Sequence, residues 1–204
     1  MQERASLELR KRPTRARARA TVDRILDAAA ALLDEIGFEA LTTVRIADRA
    51  GVNIASLYSY FPHKYAVLSA LSDRMAERQL ASVRRTMGDH DDWREALDSG
   101  LDAFVDLILT EPGFSALSTA LRACPPLRTL AERNLEPVTR LVREGLRERR
   151  VPVDPGSAQA IARVVVESGA SVVNIARSSP PRARERLLRE LKLMVRSYLD
   201  HYLA

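Results

Sequence analysis

Residues 41–64 read Leu41-Thr-Thr-Val-Arg-Ile-Ala-Asp-Arg-Ala-Gly51-Val-Asn-Ile-Ala-Ser-Leu-Tyr-Ser-Tyr-Phe61-Pro-His-Lys64. Thr42 and Thr43 can cap a short helix through their hydroxyls, and Val44, Ile46, Ala47 and Ala50 give that helix a buried side. Gly51 breaks it after two turns, and a second short helix runs from about Ile54 to Tyr60, with Leu57 and Phe61 four apart and turned inward. Pro62 stops this second helix. Because proline is tolerated near a helix start, Pro62-His63-Lys64 opens a long helix that reaches about Met87. Upstream, Ile25, Leu26, Ala29, Leu32, Leu33 and Ile36 recur at three-and-four spacing, which predicts a packing helix over Ala20 to Ile36 capped by Gly37.

Downstream, helical patterns recur at about 91–110, 113–123, 126–150, 157–178 and 182–203, divided by Pro112, Pro125-Pro126, Pro152 to Pro155 and Pro180-Pro181. The expected fold is therefore all-α with about nine helices. With 204 residues and 46% apolar content, the chain can bury a sizeable core. Its expected organisation is a basic arm at 1–19, a three-helix domain at 20–66, and a helical domain at 67–204 entered through the linking helix.

Charge is uneven. Residues 1–20 carry seven basic side chains against Glu3 and Glu8, which accounts for the whole net charge of +5 and leaves the rest neutral. A basic tail on a neutral body suggests an arm that meets phosphate. One cysteine, Cys124, excludes an internal disulfide framework and any zinc site built on cysteines. His63, His90 and His201 are far apart, and no metal-ligand spacing, phosphate loop or nucleophile motif accompanies them, so neither an enzyme nor a bound metal or cofactor is expected. No run of about 18 uncharged apolar residues occurs, and the N-terminus lacks an apolar segment after its charges, so a cytoplasmic location without membrane insertion is expected.

Two short helices around a glycine, held by a preceding helix, have the layout of a helix-turn-helix, whose second helix enters the DNA major groove. Val52, Leu57 and Phe61 form the inward side here, leaving Asn53, Ala55, Ser56, Ser59 and Tyr60 outward with Tyr58 along the flank. Small side chains let the helix approach base edges closely, while a tyrosine can reach a phosphate.

At this point the stretch 41–64, with Arg24-Ile25-Leu26-Asp27-Ala28-Ala29 and Gly37-Phe38 before it, resembles the signature of the TetR family of transcriptional regulators. The resemblance implies that Thr43, Tyr58 and Lys64 contact phosphates, joined by Arg45, and that Asn53, Ala55, Ser56, Ser59 and Tyr60 lie in or beside the groove. The arm residues Arg10, Lys11, Arg12, Arg15, Arg17 and Arg19 would follow the backbone or enter the minor groove. Ala55 stands where the family often has glycine, and His63 where it often has serine or asparagine.

The resemblance further implies a homodimer on a palindromic double-stranded DNA operator, released as a repressor by a small, hydrophobic effector. Corepression or activation is the alternative, as is a helical interaction protein that no longer reads DNA. The dimer face is expected on the last two helices, at Ile161, Val165, Gly169, Val172, Leu188, Leu191, Val195, Tyr198 and Tyr202, whose stripes are too wide for one neighbour. The effector pocket is expected among Trp93, Phe104, Leu107, Ile108, Phe114, Leu117, Leu121 and Leu127.

Overall fold

The computed structural model describes Leu7, residues 9–11 and residues 14–203. Among these residues the regular structure is entirely helical, in the order α1 (Ala16–Ala40), α2 (Thr43–Ala50), α3 (Ile54–Tyr60), α4 (Lys64–Gly88), α5 (Trp93–Thr110), α6 (Phe114–Ala123), a 3-10 turn (Pro125–Leu127), α7 (Arg128–Glu148), α8 (Pro155–Arg177) and α9 (Pro181–Leu203). No helix among them is long and apolar enough to cross a membrane.

The helix boundaries follow local chemistry. The side chain of Thr42 accepts from the Arg45 amide and opens α2, and Gly51 closes it in the left-handed region at φ 61°, ψ 39°. Asn53 opens α3 by accepting from the Ala55 amide. Within α1, Gly37 (φ 72°, ψ 176°) makes a kink before a last short turn, a backbone state that glycine reaches without strain. The helix also starts earlier than expected. The Arg-Ala alternation after Arg15 is helical from Ala16, because alanine and arginine are both strong helix formers, so the last residues assigned to the basic arm belong to α1.

The chain groups into two units that follow packing rather than chain order: residues 1–76 with 111–134, and residues 77–110 with 135–204. The first unit is built on Ile25, Ala29 and Leu33 of α1, Ile46 of α2, Leu57 and Phe61 around α3, and Val67, Leu68 and Leu71 of α4, all essentially fully buried. It also takes in α6. Leu117, Leu121 and Leu127 join this core and Phe114 packs against it. Gly113 lies so close to α1 that a Cβ on it would come within 2.7 Å of the Ala30 carbonyl oxygen, and its amide donates to Asp34 at 2.6 Å.

The second unit is centred on α8 and α9 with α5 against both. Three ion pairs lace α5 to α9 at four-residue steps: Arg94 with Asp200, Asp98 with Arg196, and Asp102 with Lys192 at 2.6 Å. The ascending order on one helix and descending order on the other make the pair antiparallel.

Two expectations need correction here. Of the nine residues assigned to a dimer face, Ile161, Val165, Gly169, Leu191 and Val195 are buried within the protomer, while Val172, Leu188, Tyr198 and Tyr202 are half-buried; the Tyr198 and Tyr202 rings meet edge-on at 5.5 Å. Each stripe is wide because it serves α5 and the neighbouring helix together. The apolar residues left outside are Val164 and Ile175 on α8 and Leu193 and Met194 on α9. The eight residues assigned to an effector pocket are also divided: Phe114, Leu117, Leu121 and Leu127 belong to the first unit's core, whereas Trp93, Phe104, Leu107 and Ile108 belong to the second unit.

Candidate nucleic-acid interface

Leu57 and Phe61 are 0% exposed, which fixes the rotation of α3 about its own axis and forces the intervening positions outward. Asn53, Ala55, Ser56, Tyr58 and Ser59 are exposed as a result, Tyr58 by 39%, and Tyr60 is half-buried against the core. The five exposed positions are free to meet a partner, whereas Tyr60, expected outward, is turned partly into the core. Some of their polar atoms are already engaged: Asn53 Oδ1 accepts from the Ala55 amide at 2.8 Å and Ser59 Oγ donates to the Ser56 carbonyl at 2.7 Å. The Asn53 amide nitrogen and the Ser56 hydroxyl are left to face a partner.

Thr43 and Tyr58, brought together from two helices, share a hydrogen bond of 3.0 Å between their hydroxyls. Whichever donates, the other keeps its proton, so the pair presents one outward donor suited to a phosphate oxygen. Arg45 is exposed and donates to the Ala40 carbonyl at 3.0 Å, with further guanidinium donors to spare.

Lys64, expected at a phosphate, also has partners inside the protein. Its Nζ donates to the Phe38 carbonyl at 3.3 Å and the Leu41 carbonyl at 3.2 Å and lies 4.4 Å from the centre of the Phe38 ring. The ammonium thus ties the start of α4 to the α1–α2 connection, adding a second donor to the Phe38 carbonyl that already accepts from the Leu41 amide, and one of its three N–H groups remains for a phosphate. His63 completes this corner by capping α4: its Nδ1 accepts from the Ala66 amide at 3.2 Å.

The arm docks rather than trailing free over its described part. Leu7 and Leu9 pack on the core, the Arg10 amide donates to the Tyr60 carbonyl at 2.8 Å, and Arg10 Nη1 reaches the Tyr58 carbonyl at 3.4 Å. Arg10 therefore satisfies carbonyls at the end of α3, and Lys11 is exposed beside it. Arg12 lies outside the described residues.

Arg15, Arg17 and Arg19 stand at the N-terminal end of α1, which has no acidic residue in its first turn. Cations are disfavoured at that end of a helix dipole, and an anion arriving there relieves the conflict. A concavity of about 460 Å³ lies between this helix end and α3. Arg15, Arg17 and Arg24 line one side of it, and Asn53, Ser56 and Ser59 the other. Sequence reading missed Arg24 and Thr21 as members of this groove; the helical propensity of residues 16–20 was the signal that places them. On the outer side of α2, Arg49 pairs with Glu35 of α1 at 2.8 Å, which holds the Glu35 carboxyl below its usual range.

Two family models match. The model described as "Bacterial regulatory proteins, tetR family" covers residues 25–71, and the one described as "Tetracyclin repressor-like, C-terminal domain" covers residues 92–199, more than half of the chain. Among characterised relatives, the class A tetracycline repressor protein of transposon 1721 from Escherichia coli is 36% identical over 108 residues, 47% of this chain and 49% of that protein. The transcriptional activator FasR of Mycolicibacterium smegmatis is 32% identical over 84 residues, 41% and 38% of the two chains. The chain thus spans about half the length, or less, of these curated relatives. A solved TetR-family transcriptional regulator from Streptomyces coelicolor superposes with a TM-score of 0.67 at 32% identity, covering 90% of this chain and 99% of that one. With the N-terminal and C-terminal models in their proper order on this helical frame, the chain belongs to the TetR family of bacterial regulatory proteins.

Proposed function

We propose that the protein is a DNA-binding transcriptional regulator that recognises a palindromic operator as a homodimer and acts as a repressor released by a small, hydrophobic effector. The observation that carries the DNA reading is the groove between α1 and α3, where three arginines face the small polar side chains of a helix whose core side is completely buried. Phosphates would lie against Arg15, Arg17, Arg24 and the Thr43–Tyr58 pair. Base edges would meet Asn53, Ala55 and Ser56.

Dimerisation is supported by Val164 and Ile175, 52% and 57% exposed, which lie eleven residues apart on one face of α8, and by exposed Leu193 and Met194 on α9. A second copy of the same face would cover them in a closed, two-fold contact. Release by an effector rests on the relatives named as tetracycline repressors, and Phe104 and Leu107, half-buried in the second unit, are the proposed apolar contacts. The relative named as an activator keeps the opposite sign of regulation as the second reading.

Fluorescence anisotropy of the purified chain on DNA from upstream of its own gene, and on sites selected from a random pool, tests the proposal. Saturable, sequence-selective binding is expected. Arg15→Gln with Arg17→Gln should lower the slope of log affinity against log salt by about two per chain, about four for the dimer, while Ser56→Glu should abolish selective binding. Affinity no better than for random DNA on every selected site would overturn the DNA reading.

A further inference from the structure

The turn between α7 and α8 borders a second, solvent-open cavity, of about 550 Å³, with all its lining residues in the second unit. Its wall carries Arg143, Arg147 and Arg150 against one acid, Glu144. None of the three arginines has an ion-pair partner within the described residues; Arg143 donates to the Gln159 side-chain oxygen at 2.5 Å, and Arg147 and Arg150 are exposed. Leu146, Val151 and Val153 make the remainder of the lining largely aliphatic. The volume is in the range of small-molecule sites, and two unpaired guanidiniums beside an aliphatic surface match a ligand with one charged end and one apolar end.

Two details favour a ligand over a merely solvated turn. Arg150 adopts φ 55°, a left-handed state that strains a non-glycine residue. It sits where α7 closes, with its amide donating to the Arg147 carbonyl at 3.0 Å and the Val151 amide to the Leu146 carbonyl at 3.2 Å, a turn for which glycine is the low-cost choice. The residue there is instead an arginine, and it lines the cavity. The N-terminus of α8, the other possible source of positive potential, is already taken: Asp154 accepts from the Ser157 hydroxyl and from the Ser157 and Gly156 amides at 3.1 and 2.9 Å, and these bonds, the hydroxyl's first, hold its carboxyl below the usual range. An anion would therefore be held by the arginines and not by the helix end.

We infer that the α7–α8 cavity binds an organic anion with an aliphatic body, the carboxylate held by Arg147 and Arg150 and the chain lying on Leu146, Val151 and Val153. This site shares no residue with the DNA groove or with the apolar contacts proposed for the effector, and it stands whether or not the chain represses transcription.

Calorimetric titration of the full chain with decanoate, decanol and inorganic phosphate tests it. Decanoate should bind saturably, with decanol and phosphate each at least about tenfold weaker, since each supplies only half of the recognition. Arg147→Gln with Arg150→Gln should weaken decanoate about tenfold or more with an unchanged circular dichroism spectrum. Arg150→Gly should weaken decanoate while raising the melting temperature, because glycine relieves the backbone strain. No saturable decanoate binding, equal binding of decanol or phosphate, or decanoate binding unaltered by the double substitution would each overturn the proposal.

Discussion

The α2–α3 turn and the α8–α9 pair are both built from apolar stripes at helical spacing, yet only the first could be assigned to its partner before the structure was known. In the turn, Leu57 and Phe61 have one place to go, because α3 is too short to carry a second apolar face. In α8, residues 161, 165, 169 and 173 are buried inward while Val164 and Ile175 stand outside, so one helix carries an inner stripe and a separate outer apolar patch, for which we propose a second copy as the neighbour. A stripe predicts burial, and its partner follows from the stripe only when a single candidate exists.

The largest expected effect breaks the one-faced region. Phe61→Ala empties a fully buried site that joins α3 to the α4 core, and should cost about 3–5 kcal/mol in chemical denaturation, with loss of DNA binding as a consequence of unfolding. A cost under about 1 kcal/mol would mean that the α3 anchor is not where the core closes. Next, Gly113→Ala tests whether α6 is fixed on α1. A Cβ there meets Ala30 backbone at 2.7 and 2.8 Å, and φ of 73° adds strain, so a loss of about 2–4 kcal/mol is expected. Tolerance would show that α6 can lift away from α1.

The two-faced region should respond in association rather than in folding. Val164→Asp with Ile175→Asp puts charges on the outer face of α8 and leaves the inner stripe of Ile161, Val165 and Val173 intact. In sedimentation velocity the dimer should weaken by at least about tenfold, while the thermal melt of the monomer changes little. If Ile161→Ala dissociated the dimer more than this pair does, the assignment of inner and outer faces would be reversed.

Helix order, the Gly51 break, the core of α3 and its exposed small residues were legible because each rests on spacing within about ten residues of chain. Lys64, Arg10 and the arginines of α1 show where that reading stops. Lys64 carries the right charge at the right position for a phosphate, but its ammonium is directed to the Phe38 and Leu41 carbonyls, more than twenty residues away in sequence. Arg10 similarly completes the carbonyl end of a helix 48 residues downstream. The α5–α9 ladder was visible in principle: Asp98 and Asp102, like Lys192 and Arg196, repeat at four-residue steps. Nothing local, however, says which two charged faces will meet.

The smallest expected effect separates the two regions most cleanly, because Gly113 holds a left-handed turn pressed against α1, whereas Gly169 lies inside a helix with only an ordinary contact beyond it. A glycine inside a long helix costs about 1 kcal/mol relative to alanine, which suggested that Gly169 was kept for a close approach across a dimer. A Cβ at Gly169 would find only Leu101 Cδ2, at 4.0 Å, an ordinary contact inside the same protomer. Gly169→Ala should therefore be neutral or stabilise by up to about 1 kcal/mol, with dimer affinity unchanged, against the clear loss at Gly113. If Gly169→Ala instead weakened the dimer, a second chain would have to reach a residue that the structure buries between α8 and α5, and the outer face of Val164 and Ile175 would no longer suffice as the contact.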